Sequence, residues 1–239
     1  MTQHLASDTA MVMAAGLGKR MRPLTASQPK PMVRVAGKPL IDHALDRLAE
    51  AGVAKAVVNV HYLADALEAH LAARAKPQVT ISDERGLLLE TGGGMVKALP
   101  HLPDPFFCLN ADNIWLDGPR NAFADLSRRW NPDEMDALLL VVPHARASNF
   151  RGLGDFHMDQ VGRLKRRLPG RVAPFIYTGI QLVSHRLLRD APEGPFGTMQ
   201  LWERAIGEGR LYGAKFTGQW FEVGSPQAIA PTEEALQSG

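Results

Sequence analysis

The feature that most limits what this chain can fold into is its alternation of short apolar runs with segments of helical period. Residues 10–14, 56–60, 106–109 and 137–142 have strand length and are almost wholly apolar, as buried strands are, and residues 79–82 read as a further short strand. Between them, residues 39–51 place Leu40, Ala44, Leu45, Leu48 and Ala49 on one helical face, with Pro39 suited to a first helical position and Gly52 to a stop. Residues 63–73 repeat the pattern through Leu63, Ala66, Leu67, His70 and Leu71, and residues 123–130 supply another helix. A further helical turn or two is expected over 94–99. Strand–helix–strand repetition makes neighbouring strands parallel and puts helices on both faces. The expected fold is therefore α/β: a three-layer α/β/α, Rossmann-like arrangement with a mostly parallel, mixed central sheet, binding its ligand beyond the carboxyl ends of the strands. From about residue 143 the rhythm loosens around Gly152, Gly154, Gly162, Gly170 and Pro174, which reads as an insertion packed on the same sheet. One domain over 10–239 follows, in two parts, 10–142 and 143–239, behind a frayed tail over 1–9.

Composition narrows the partners. With 45% hydrophobic and 22% charged residues in 239, the whole chain can support a packed core. A net charge of +2 without a basic arm favours a phosphate-rich small molecule over nucleic acid. The basic cluster at 163–171 is interrupted by Leu and Pro and reads as solvated surface. Cys108 is the single cysteine, so no internal disulfide forms, which suits a reducing cytoplasm; its apolar neighbours mark it as core. Residues 1–9 are polar, and no run approaches the ~18 apolar residues a bilayer requires, so neither a leader nor a membrane is expected. A monomer or small homo-oligomer is expected.

The chemistry concentrates after the first strand, in Ala14-Ala15-Gly16-Leu17-Gly18-Lys19-Arg20-Met21-Arg22-Pro23-Leu24-Thr25 and then Pro29-Lys30-Pro31. Small residues let backbone N–H groups approach phosphate oxygens, and Lys19, Arg20, Arg22 and Lys30 add positive charge. Two familiar phosphate loops do not fit. A dinucleotide fingerprint wants glycine where Met21 stands and a helix inside the motif, whereas Pro23, Pro29 and Pro31 keep this segment extended. A P-loop needs four residues between its glycines, and here there is one. Gly16-Leu17-Gly18 alone is equally a tight turn with surface charges.

The longer string, Ala-Ala-Gly-x-Gly-x-Arg-Met-x-Pro-Leu-Thr, then Pro-Lys-Pro-Met and Val-Ala-Gly-Lys-Pro-Leu-Ile, resembles the N-terminal signature of the sugar-1-phosphate nucleotidylyltransferases from Met13 to Ile41. The resemblance continues more thinly to about residue 230. It implies a nucleotide-binding fold in which Ala15, Gly16, Gly18 and Lys19 line the triphosphate, Arg20 meets the β- and γ-phosphates, and Lys30 lies near the α-phosphate. Arg20 and Lys30 are then the catalytic pair. Asn110-Ala111-Asp112 resembles the family's Asn-Gly-Asp, which makes Asp112 a Mg²⁺ ligand, although Asp in such a place also caps turns. The second ligand in this family is Asp within Trp-x-Asp-Val-Gly; here Trp220-Phe221-Glu222-Val223-Gly224 puts Glu222 there, one methylene longer.

Leu89-Glu90-Thr91-Gly92-Gly93-Gly94 looks most like the N-acetylmuramate-1-phosphate uridylyltransferases and related short enzymes, and on that analogy Glu90 and Gly93 border the base; a flexible turn is the plainer reading. Asn110, Gly154, Thr178 and Gly179 match positions lining the family's sugar pocket. Trp202, at helical spacing from Ala205 and Ile206, reads as core, and no two histidines show ligand spacing. The implied partners are UTP and N-acetylmuramate 1-phosphate, the sugar phosphate attacking the α-phosphorus and expelling pyrophosphate. Three alternatives stay open. One is a GTP-dependent mannose-1-phosphate guanylyltransferase. Another is a cytidylyl- or molybdopterin-nucleotide transferase, whose Met is typically followed by Gly and not by Pro-Leu-Thr. The third is a catalytically weak nucleotide-binding regulatory module, which Glu222 favours.

Overall fold

The computed structural model describes residues 4–148 and 150–238. Its strands are β1 (Thr9–Met13), β2 (Arg34–Val35), β3 (Lys38–Pro39), β4 (Lys55–Val60), β5 (Gln78–Asp83), β6 (Phe106–Asn110), β7 (Asn113–Leu116), β8 (Ala137–Pro143), β9 (Ala147–Ser148), β10 (Phe156–Met158), β11 (Leu164–Arg166), β12 (Phe175–Val183), β13 (Leu211–Lys215) and β14 (Gln219–Glu222). The α-helices are α1 (Leu40–Ala51), α2 (Ala64–Ala72), α3 (Glu90–Ala98), α4 (Ala122–Arg129), α5 (Met199–Gly207) and α6 (Ile229–Ser238).

The main sheet runs β5-β4-β1-β6-β12-β8-β13, with the β10–β11 hairpin attached at the start of β12. β1, β4, β5 and β6 are parallel, and β13 is parallel to β8. β12 runs against both its neighbours, β6 and β8. Strands from both sides of residue 143 thus share one sheet. Alternation along β1 sorts the layers. Ala10 and Val12 face α1, α2 and α4 through Leu45, Leu67 and Phe123; Met11 faces α3 and α5 through Met95 and Leu201. β6 does the same with Phe107 and Leu109 against Phe106 and Cys108. This is the expected three-layer α/β/α fold.

A second, three-stranded sheet, β7-β14-β9, stands beside the first. A third core of Met21, Val33, Leu40, Ile114, Phe221 and Val223, with Ile229 of α6, binds it to the loop after β1.

Several local expectations change. Pro39 is the cap of α1, not its first residue, and Gly52 closes that helix at φ 91°. α3 begins at Glu90, four residues earlier than expected, so Gly92 and Gly93 lie inside a helix rather than before one. Weak helix propensity gives way to packing that only glycine permits. A Cβ on Gly92 would enter the Phe196 ring, and one on Gly93 would meet the Gly194 carbonyl at 2.5 Å. Of the segment read as a frayed tail, residues 1–3 lie outside the described residues. Leu5 and Ala6 pack against the core, Ser7 is buried, and Thr9 already belongs to β1.

Candidate active site

β1 and β6 end side by side, Met13 opposite Asn110. The loop from Ala14 and the turn Ala111-Asp112 therefore leave the sheet together, at the edge where this architecture binds ligands. The loop is not extended throughout as its prolines suggested. It folds into two single 3-10 turns, Lys19–Met21 and Lys30–Met32, with Pro31 inside the second. The φ that proline fixes suits such a turn as well as an extended chain. Gly18 starts the first turn at φ 60°, and a Cβ there would lie 3.0 Å from both Lys30 Cβ and Thr25 Cγ2. The Thr25 hydroxyl donates to the Gly18 carbonyl (2.8 Å), and the Tyr62 hydroxyl donates to that of Thr25 (3.0 Å). The loop is thus closed on itself, with Lys30 folded back across its neck.

Folding back brings Lys30 to the acidic side. Its Nζ donates to Asp112 Oδ2, and only 13% of its side chain is exposed against 30% for Asp112. Glu222 reaches the same place from the far end of the chain. β14 pairs antiparallel with β7 so that Glu222 lies opposite Asn113, the residue after Asp112. Arg20 Nη1 stands 3.8 Å from Glu222 Oε1, with 74% of the arginine side chain exposed. Each carboxylate therefore faces one cation of the loop.

The cleft above holds about 410 Å³ and is lined by Ala15, Gly16, Lys30, Glu90, Asn110 and Asp112 among the expected residues, and by Met13, Asn59, Leu88 and Thr91 in addition. A Cβ on Gly16 would meet nothing within 4 Å, so that backbone is open to a ligand. Gly18, Lys19, Arg20 and Glu222 do not line the cleft; Arg20 and Glu222 form their ion pair beside it. Gly93 is packed inside α3 and does not line it either.

The expected sugar residues divide. Asn110 lines both the cleft and a side pocket of about 220 Å³ formed with Met13, Thr91, Tyr177, Gln181, Thr198 and Trp202. Thr178 is fully buried, its hydroxyl donating to Leu140 O (2.9 Å) and its carbonyl accepting from Trp220 Nε1 (2.9 Å). Gly179, at φ 80°, makes room for the Asn113 amide. Gly154, at φ 79°, presses on the Ala173 carbonyl. Those three shape the sheet and line neither space. Trp202 is core, as expected, and also walls the side pocket: its Nε1 donates to Gln181 Oε1 (3.2 Å) and Tyr177 packs edge-on against it. Burial pushes the Tyr177 phenol well up and the neighbouring Cys108 thiol up to about 12, so neither ionises near neutrality.

Two residues escaped the sequence reading. Asn59 Oδ1 accepts from the N–H groups of Ala14 (2.6 Å) and Ala15 (3.3 Å), and its Nδ2 donates to buried Glu84 (2.8 Å). The signal was there: Asn59 is the one polar residue in Val57-Val58-Asn59-Val60.

Comparison with known proteins agrees with this geometry. The family model for Nucleotidyl transferase matches residues 9–165, from the first residue of β1 into β11. The chain belongs to the nucleotidyl transferase family. This nucleotidyl transferase is 44% identical over 236 residues to the N-acetylmuramate alpha-1-phosphate uridylyltransferase of Caulobacter vibrioides, covering 97% of this chain and 98% of that one. It is 28% identical over 227 residues to the mannose-1-phosphate guanyltransferase beta-A of Xenopus laevis, of which the match covers 61%. Among solved structures, the inositol-1-phosphate CTP transferase from T. maritima superposes with a TM-score of 0.79 at 18% identity, over 97% of this chain and 96% of that one, which identifies the fold.

Proposed function

We propose that this nucleotidyl transferase is a sugar-1-phosphate uridylyltransferase that joins UTP to N-acetylmuramate 1-phosphate, releasing pyrophosphate. The observation that carries the reading is the convergence, between the ends of β1 and β6, of an open glycine backbone, a half-enclosed lysine and a carboxylate. The 44% identity over nearly the whole chain supports this choice of base and sugar over mannose-1-phosphate guanylyl transfer, where the likeness is weaker and covers less of the relative.

The attacking sugar phosphate is already an anion, so the protein must position two polyanions and offset their charge; no general base is needed. Residues 10–142 take the nucleotide and 143–239 the sugar. Ala15 and Gly16 line the phosphate path, Gly18 turns the loop into the short helix that Lys19 opens, Glu90 faces the base, and Asn110 stands where cleft and side pocket meet. Gly93 supports the base side from within α3, Thr178 and Gly179 support the sugar side from within β12, and Gly154 does so from the loop before β10. Lys30 orients the α-phosphate and Arg20 receives the outgoing pyrophosphate. Mg²⁺ binds through one or two carboxylates plus waters and substrate phosphates. Asp112 and Glu222, placed by neighbouring ladder positions, fit that donor set. When bound, the ion supplies charge neutralisation between the phosphates. Among the described residues no helix is long and apolar enough to cross a membrane, and the reduced, buried Cys108 is compatible with the cytoplasm.

The deciding experiment assays the four triphosphates against several sugar 1-phosphates with pyrophosphate detection. Release with UTP and N-acetylmuramate 1-phosphate well above every other pair is expected. A preference for GTP with mannose 1-phosphate would replace the substrates. Triphosphate binding without release from any pair would make the chain a binding module.

A further inference from the structure

A chain of buried polar groups joins the two walls of the cleft from behind. Ala14 and Ala15 begin the phosphate loop, and both donate their N–H to Asn59 Oδ1 at the end of β4. That fixes the amide's orientation, so Nδ2 points the other way and donates to Glu84 Oε1. The second oxygen of Glu84 accepts from Leu89 N (3.0 Å), the residue that caps α3 and precedes Glu90 and Thr91 of the opposite wall. Glu84 is 1% exposed. Its own carbonyl accepts from Leu87 N and contacts His61 Nδ1, while its N–H donates to Val60 O, so its place beyond β5 is fixed on every side. Gly94 permits the arrangement: a Cβ there would stand 2.9 Å from Glu84 Oε1 and 3.0 Å from Asn59 Nδ2.

Burying a carboxylate among strand ends is costly unless its acceptors are used, and here both oxygens are. None of the donors or acceptors in the chain can be reversed alone. Glu84→Gln would turn an N–H₂ toward either the Asn59 amide or Leu89 N. Asn59→Asp would set a second carboxylate face to face with that of Glu84.

We propose that Asn59 and Glu84 are positioning residues for the transfer reaction, and that they set the distance between the phosphate loop and the base-facing start of α3 through the direction of their hydrogen bonds. The inference rests on the reading of the cleft as a triphosphate site. Reversing the whole chain keeps every bond. With Asn59→Asp and Glu84→Gln together, the carboxylate introduced at position 59 accepts from Ala14, Ala15 and the new side-chain amide at position 84, whose carbonyl in turn accepts from Leu89. Side-chain length is unchanged at both positions; only the polarity of one link is inverted.

The test compares wild type, N59D, E84Q and the double variant by residue-resolved amide exchange in the ligand-free protein and by steady-state kinetics with UTP and N-acetylmuramate 1-phosphate. Each single variant is expected to lose exchange protection at the amides of Ala14, Ala15 and Leu89 and to raise the KM for UTP by about tenfold or more. The KM for the sugar phosphate should change less than about twofold, since the chain does not reach the side pocket. The double variant should regain the protection and recover most of the UTP KM. A structural role in packing alone would leave the singles and the double equally protected, and that result overturns the proposal. So does a double variant no better than the worse single, or one that does not fold. Were the wild type to transfer no nucleotide at all, the exchange pattern would still decide the positioning chain, and the functional reading would fail separately.

Discussion

Two ion pairs serve the same site under opposite conditions. Lys30 and Asp112 meet at the floor of the cleft, where little of the lysine is exposed and its ammonium is in hydrogen-bond contact with the carboxylate. Arg20 and Glu222 meet beside the cleft, 3.8 Å apart, with the arginine mostly in water. Exposed pairs of that kind contribute about 0–1 kcal/mol, so Arg20 can swing to a phosphate at small cost. Lys30 has no such freedom: it is held across the neck of the loop and is aimed before any ligand arrives. Charge complementarity alone does not rank the two. Burial and geometry do: the inner pair is enclosed and fixed, as the proposed orienting role requires, and the outer is exposed and free to adjust, as the proposed neutralising role requires.

The comparison can be broken at several points. Lys30→Ala should lower turnover by about 10²–10³-fold with the fold intact by circular dichroism, the scale found when one preorganised donor is removed from a reaction centre. Near-normal turnover would erase the distinction between the pairs. Asp112→Asn should lower turnover by about 10²-fold and raise the Mg²⁺ concentration for half-maximal rate, read from a metal titration. Arg20→Ala should raise the KM for UTP by about tenfold while kcat falls less, a loss of about 1.4 kcal/mol of ligand binding. Glu222→Ala should shift the metal titration upward by a few-fold only; an unmoved titration removes Glu222 from the site. The smallest effect concerns a carboxylate with no cation in hydrogen-bond contact. Burial raises the Asp155 carboxyl above the usual carboxylate range, against the Tyr177 N–H and the Arg167 charge, which pull it down. Its stabilising contribution is complete below the ordinary carboxylate pKa and is lost as pH rises through the raised one. Asp155→Asn keeps an acceptor for Tyr177 N. Melting temperatures should therefore show the variant level with wild type at about pH 3.5 and modestly more stable at about pH 7.

The sheet was legible because its strands are apolar runs and its helices carry a clear period, as in residues 40–51. Ala15, Gly16, Lys30, Glu90, Asn110 and Asp112 were legible through resemblance to the family's motifs, and the structure gathers those six at one cleft. The glycines at 92 and 93 were misplaced because their reason is tertiary: Phe196 and Gly194, far along the chain, decide what fits there. Thr178 and Gly179 were read as lining a pocket, yet strand alternation and the close approach of Asn113 turn them inward. Asn59 and Glu84 went unread because each is ordinary alone and acquires meaning only when β4 and β5 end side by side.

The pairing of β14 with β7 has a temporal consequence. Asn113 and Glu222 are far apart in sequence, so the second carboxylate joins the first only after the chain has been made through β14. β6 waits as well, since its partner β12 begins at Phe175, and until then an apolar strand edge stays unpaired. Until β14 is made, the chain holds only the first of the two proposed metal carboxylates, and the β1 loop lacks the Phe221 and Val223 that it packs against. Such long-range contacts slow folding and leave the intermediate open to misassociation. The proposed pair of metal carboxylates is therefore complete only once β14 has paired with β7.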